Sequence, residues 1–381
     1  MLLVTFHGEP SGAVADTGIN NVYAYDTKTK HIHSTQALAN PSANMLSKLR
    51  SMVVVNGYLY VTSGAKKTST VLCYERISSA PSAHKSASAP LFAFVSTVIG
   101  PTIADKQFTT LIAHPFGIAF STGGMVCYIS NQDTNVVAQV TLTGNGQTGS
   151  LGSGSQSAYL SKLFPAPATF LDGTFVASQQ GALPDVAVVA TSVSPGNGGL
   201  GVMLATKAEG ADAGKKQKVQ KSVRDVAIAS DILFVCDEVH QSINMYSLKD
   251  GSFLTQAKLD GNPTHLASCN GGLFVSAGTK LFWGQLPAQP GAPLALTQVS
   301  LTPPATATKT DTIGGISFDS ASATVYLPFQ AGTGTVGARG GSIWTYYVDQ
   351  PNPQTLPTFK HDALFVDHLP DTPEFVLYMA D

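Results

Sequence analysis

Short apolar runs broken by polar turns recur along almost the whole chain. The stretch from Val223 to Phe253, VRDVAIASDILFVCDEVHQSINMYSLKDGSF, is the clearest instance. An apolar run, a tight turn, a second apolar run, a polar loop, a third run and a Lys-Asp-Gly turn follow one another there. Short runs bounded by turn residues predict antiparallel strands rather than amphipathic helices. The same order appears as LRSMVVV, Asn56-Gly57, YLYVTSG and STVLCYE, where an Asn-Gly pair between apolar runs is a strong hairpin signal. It returns from His114 as HPFGIAF, MVCYISNQDTN and VVAQVTL, from Pro263 as PTHLAS, LFVSAG and KLFWGQL, and from Ile313 as IGGISF, TVYLPF and SIWTYYV.

The first strands of these units begin near 50, 114, 168, 224, 263, 313 and 362, a mean spacing of about 52 residues. Four short strands with their turns fill about 40–50 residues, the size of one propeller blade. A single unit cannot bury both faces of its sheet, whereas units arranged radially bury each face against a neighbour. The expected fold is therefore all-β: a single seven-bladed β-propeller of four-stranded antiparallel blades over residues 1–381, with six or eight blades as the alternatives. One degenerate blade and its loops occupy about 143–222. The ring is expected to be closed by N- and C-terminal strands. Leu2–Phe6 and Val22–Tyr25 read as later strands of a blade whose first strand comes from Asp362–His368, and EFVLYMA then duplicates the role of Leu2–Phe6. A pair of β-sandwiches is the competing architecture, weakened by a period that runs through mid-chain without a linker.

Composition narrows the partners. Charged residues are 12% of the chain, with 36 Gly, 22 Pro and a net charge of −2. Nothing in that balance attracts nucleic acid or an anionic membrane, and no stretch approaches the ~18 apolar residues of a membrane span. The basic run Lys215, Lys216, Lys218 and Lys221 reads as a solvated loop. Cys73, Cys127, Cys236 and Cys269 match no metal-binding spacing, and three lie in apolar runs, as small buried hydrophobes do. A cytoplasmic monomer is expected, the alternative being a secreted protein whose leader is absent from this chain.

Propeller geometry gathers chemistry onto one face. Residues opening the innermost strands and residues in the loops after the second strands share a channel mouth. Arg50, His114, Arg224, His265 and His361 belong to the first group. His7 with Glu9, Asn131 with Asp133, Glu238 with His240, and Gln330 belong to the second. Arginines hold a carboxylate or developing oxyanion through forked hydrogen bonds, and a Glu or His moves protons. SNQDTN offers Asn131 and Asp133 as weak metal candidates, the alternative being an Asx turn. No other metal site and no cofactor is expected.

HPFGIAF with YISNQDTNVV, and VRDVAIASDILFVCDEVHQSINMYSL, resemble the repeat of the seven-bladed lactonase family of propeller-type 6-phosphogluconolactonases and carboxymuconate cyclases. In that family an Arg opens an inner strand and a Glu follows the next strand, an order that Arg224, Glu238 and SINMYSL match. His114 is similar to the family's His at the head of an earlier inner strand. The chain departs from the family in its Val-Arg-Asp context and in the 110 residues between His114 and Arg224. NHL and surface-layer propeller repeats share the same general appearance.

The resemblance implies a cofactor-free lactone hydrolase or related cycloisomerase acting on a small anionic substrate at the central channel. Glu238 and His114 are its candidate catalytic residues, and Arg224, Arg50, His265, His7 and Gln330 its candidate substrate-binding residues. Structural roles compete at each position: Glu238 pairing with a lysine or capping a turn, Arg224 pairing with Asp225 or Asp237, His114 packing at a blade start. The alternative function is a non-catalytic propeller presenting one face to a protein or small ligand.

Overall fold

The computed structural model describes residues 1–7, 19–40, 45–64, 69–77, 89–100, 112, 114–132, 136–143, 148–151, 186–188, 204–206, 223–249, 253–269, 271–301, 311–330, 340–350 and 355–380. Among these the regular structure is all strand. The chain opens with β1 (Leu2–Phe6), β2 (Tyr23–Tyr25) and β3 (Ile32–Ser34). A second sheet contains β4 (Leu49–Val55), β5 (Tyr58–Ser63), β6 (Thr70–Arg76) and β7 (Phe92–Ile99). A third contains β8 (Pro115–Phe120), β9 (Val126–Asn131), β10 (Val136–Thr143) and β11 (Thr148–Leu151). Then β12 (Val186–Val188) and β13 (Leu204–Thr206) form a two-stranded sheet of their own.

The stretch around Val223 becomes β14 (Val223–Ala229), β15 (Ile232–Asp237), β16 (Ser242–Ser247) and β17 (Phe253–Lys258), one antiparallel sheet in chain order. The next holds β18 (Pro263–Cys269), β19 (Gly272–Ala277), β20 (Lys280–Gln285) and β21 (Thr297–Gln298). In the last, β22 (Thr312–Ile313) and β23 (Ser317–Asp319) both pair with β24 (Thr324–Gln330), followed by β25 (Gly341–Asp349) and β26 (Thr358–Val366). Finally β27 (Pro373–Tyr378) pairs antiparallel with β1.

These sheets are the blades of a β-propeller. Inner strands touch in the order β4, β8, β14, β18, β23, β27 and back to β4. Neighbouring blades share apolar cores. Leu59 and Leu72 pack with Leu3 and Ala24, Phe234 and Ile243 with Leu266 and Val275, and Tyr326 and Ile343 with Leu2 and Val4. That packing explains the continuous apolar runs: β15 and β19 are buried at every position, with a neighbour on both faces. The outer strand β17 is half exposed, and its sequence is mixed. Asn56 and Gly57 both take positive φ (51° and 83°), the two-residue turn that the Asn-Gly signal predicts.

Two expectations are corrected. Seven blades are not seen: six four-stranded blades are present among the described residues, and β14 follows β8 directly around the ring. Most of 143–222, including the unit expected near 168, lies outside the described residues. The surplus unit is the one placed near 168, since the inner strand β14 packs directly beside β8. The segment Asp362–His368 is not an inner strand either. Its residues lie on and just after β26, at the outside of the sixth blade, and the inner strand beside β1 is β27. His361 accordingly belongs to an outer strand.

Candidate active site at the channel mouth

One backbone irregularity recurs at the start of five inner strands. Two residues there oppose one residue of the second strand: Glu374 and Phe375 oppose Thr5, Arg50 and Ser51 oppose Thr62, and Phe116 and Gly117 oppose Ser130. Arg224 and Asp225 oppose Cys236, and Thr264 and His265 oppose Ser276. Such bulges bend a strand and re-aim its side chains. Here they deliver side chains from distant parts of the sequence to one level of the channel.

The opposing hydroxyls hold this level together. Thr5 Oγ1 accepts from Phe375 N (3.1 Å) and donates to Arg50 O in the next blade (2.9 Å). Thr62 Oγ1 lies 3.1 Å from Phe116 O, again one blade on. In the fourth blade the opposing residue is Cys236, and the Asp225 carboxylate takes over, accepting from Val226 N (2.8 Å) and from Leu266 N of the fifth blade (3.0 Å). Burial pushes the Asp225 carboxyl up to about 7, against those two N–H bonds.

Around this level sit two arginines, two glutamates, two histidines and two phenylalanines. Arg224 Nε donates to Glu238 Oε2 at 2.6 Å, both side chains about one-fifth exposed. The Gln132 amide oxygen, once oriented by the hydrogen-bond network, accepts from both terminal nitrogens of Arg224. The guanidinium also lies 5.6 Å from the centroid of Phe116, a cation–π contact. Phe116, His265 and Phe375 form an aromatic plug, with centroids 5.4 Å apart for each Phe116 pair and 4.7 Å for His265–Phe375.

Arg50 and Glu374 are buried beside the plug, Arg50 Nε standing 3.9 Å from Glu374 Oε1. Burial alone would raise the Glu374 carboxyl. Arg50, the His7 hydrogen bond and charge, and His265 overcome it and hold the group down at about 2. His265 is pushed down to about 4 by burial, with Arg224 and Arg50 adding to the effect and Glu374 opposing it. Its Nδ1 reaches Thr264 Oγ1 (3.0 Å) and Ser276 Oγ (3.2 Å), while Nε2 is buried without a hydrogen-bond partner. Arg50 Nε is buried and likewise makes no hydrogen bond, its contact with Glu374 being an ion pair at 3.9 Å. Towards the C-terminal ends of the inner strands, a cavity of about 430 Å³ is lined by Asp225, Ser51, Ser268, Ser317, Phe375 and Tyr378, among others.

Of the sequence candidates, Arg50, His7, Arg224, Glu238 and His265 thus gather at one mouth. His114 does not join them through its side chain: the imidazole packs over Gly64, and its carbonyl accepts from Gln132 N (3.1 Å). Gln330 ties the sixth blade to β27, accepting from Thr312 Oγ1 (2.8 Å) and donating to Pro373 O (2.9 Å). His240 sits against Asp237 at 2.8 Å. Asn131 is buried and donates to Ile129 O. Asp133 and Glu9 lie outside the described residues. No group of three or more metal-ligating side chains occurs among the described residues.

Glu374, Phe116, Phe375 and Gln132 were not picked out from the sequence as site residues. The signal for Glu374 was present. Pro373-Glu374-Phe375, Pro115-Phe116-Gly117 and Pro263-Thr264-His265 share one phase, each beginning its inner strand with proline.

No family model matches the chain, and no curated protein sequence matches it. Similar solved structures include a protein from Lactobacillus plantarum, with 12% identity and a TM-score of 0.52 over 95% of this chain and 81% of that one. The periplasmic gluconolactonase of Pseudomonas aeruginosa has 14% identity and a TM-score of 0.50 over 94% and 81%. A protein of unknown function from Bacteroides caccae has 9% identity and a TM-score of 0.50 over 99% and 97%. At these identities the likeness shows the fold, a β-propeller with lactonase-like neighbours, and it does not show the activity.

Proposed function

We propose that the protein hydrolyses, or isomerises through a related step, a small lactone at the channel mouth. The observation that supports this most is the convergence of Arg50, Arg224, Glu238, Glu374 and His7 where inner-strand bulges meet. Arg224, stacked on Phe116 and oriented by Gln132, presents a planar donor array suited to a substrate carboxylate or to the oxyanion of the tetrahedral intermediate. In this reading Glu238, paired with Arg224 and one-fifth exposed, is the carboxylate that moves a proton. His265 and the two phenylalanines form a largely apolar floor beside the charged pairs. Glu238→Gln tests the reading: turnover on a lactone panel falls on the order of 10²-fold or more with the melting temperature nearly unchanged. Full activity in that variant contradicts it.

A second reading, a propeller that binds without catalysis, draws on the pairing of each arginine with a carboxylate. It predicts no turnover on any lactone, and saturable ligand binding that Arg224→Ala abolishes.

A further inference from the structure

His7 is built into the fold as few surface histidines are. Its backbone N–H donates to Thr372 O (2.9 Å), and its carbonyl accepts from Arg50 Nη1 (3.0 Å), so the main chain is clamped from both sides. Its Nδ1 lies 3.1 Å from Oε2 of Glu374, a carboxylate only 7% exposed, while the imidazole itself is 46% exposed. Among the described residues Nε2 has no hydrogen-bond partner. A buried carboxylate on Nδ1 fixes the tautomer that protonates Nδ1 and leaves Nε2 as a proton acceptor. Arg50 in turn holds the carboxylate in its charged form. A half-exposed histidine with a rigid backbone and one nitrogen on a buried anion has the construction of a general base.

We propose that His7 is a second proton-transferring residue of the mouth, acting on the attacking water beside Glu238, and that Glu374 is its positioning residue. The assignment of the step rests on the lactonase reading, whereas the dyad itself does not. In the hydrolytic step His7 Nε2 takes a proton from water as the water oxygen bonds to the lactone carbonyl carbon. The carbonyl π pair moves onto oxygen, where Arg224 or Arg50 meets the charge. The pair then returns, the ring C–O bond breaks, and the departing alkoxide takes the proton back from Nε2. The net change is addition of one water to give the hydroxy acid. Glu374 keeps its charge throughout and accepts no proton.

Two measurements on the full chain test this. The first needs no substrate: carbethoxylation by diethyl pyrocarbonate, followed by peptide mass spectrometry. His7 should react faster than His31 and His368, both exposed. Glu374→Gln, or Glu374→Asp if the Gln variant does not fold, should slow His7 by about 10–100-fold without slowing His31. Reaction of His7 at the rate of His31, or an unaltered rate in both Glu374 variants, overturns the dyad. The second measurement uses glucono-1,5-lactone and a carboxylate-bearing lactone. His7→Gly should lose on the order of 10²-fold in turnover and recover part of it with added imidazole. Turnover equal to wild type in His7→Gly overturns the role in catalysis. A fast-reacting, Glu374-dependent His7 in a wild-type protein inert toward every lactone supports the dyad and removes the lactonase reading instead.

Discussion

His7 and Glu374 lie 367 positions apart, and yet the imidazole Nδ1 of one meets the carboxylate of the other at 3.1 Å. The contact exists because β27 is the inner strand beside β1 and carries a bulge at Glu374. The same carboxylate is the counter-charge of Arg50, whose side chain is only 3% exposed. Removing one member of a buried ion pair leaves the other uncompensated, which costs about 3–5 kcal/mol. Glu374→Gln is expected to lower the unfolding free energy in urea by that amount. A change under ~1 kcal/mol would mean that Arg50 finds another partner or reaches water.

The outer pair behaves differently. Arg224 and Glu238 are each about one-fifth exposed, and Gln132 also holds Arg224. Loss of the Glu238 charge is expected to change stability by no more than about 1 kcal/mol. Thermal unfolding of Glu238→Gln beside Glu374→Gln checks the contrast, and equal losses would show that both pairs are structural struts.

The bulges themselves can be tested at Gly117. A Cβ there would collide with the Asp225 carboxylate and the backbone of Val226. Gly117→Ala is expected to destabilise by about 1–3 kcal/mol, as overpacking does. Asp225→Gly in that background, by making room, should return part of the loss in a double-mutant cycle. Additive losses would show that the two residues do not press on one another.

Acid should act through His265. Its folded value of about 4 lies below the ordinary 6.5, so the unfolded chain binds the proton more readily between those values. Stability from this group is complete above about pH 6.5 and falls as pH drops towards 4. The loss amounts to about 3 kcal/mol if no relaxation intervenes. Asp225, raised to about 7, contributes the opposite slope over the same range, so the contribution of His265 is read as the difference between wild-type and His265→Gln denaturant midpoints, which should narrow as pH falls from 7 to 4. Identical slopes would place the acid-sensitive group elsewhere.

The sequence and the structure agree most closely where packing dictates the pattern. The apolar runs of β15 and β16 reappear as strands buried at every position but the last of β16, because both of their faces meet a neighbour. Arg50, Arg224 and Glu238 were legible because strand order alone puts them at one mouth. Glu374 was hidden because EFVLYMA reads equally well as an inner or a later strand, and only its pairing with β1 decides between them. His114 illustrates the converse: it stands at the head of an inner strand with a positive φ of 53°, and its imidazole packs over Gly64. Blade number failed for a related reason. Apolar runs near 168 read as one more unit, whereas ring order is set by which inner strands pack together, and β14 packs beside β8.

The central claim is that the mouth holding Arg50, Arg224, Glu238 and His7 acts on a small lactone bearing negative charge. The most direct measurement is kcat/KM of the wild-type protein for a carboxylate-bearing lactone and for its uncharged methyl ester, followed by proton release. Turnover of both is expected, with the free carboxylate preferred about tenfold or more and the preference lost in Arg224→Gln. No turnover of either compound would contradict it.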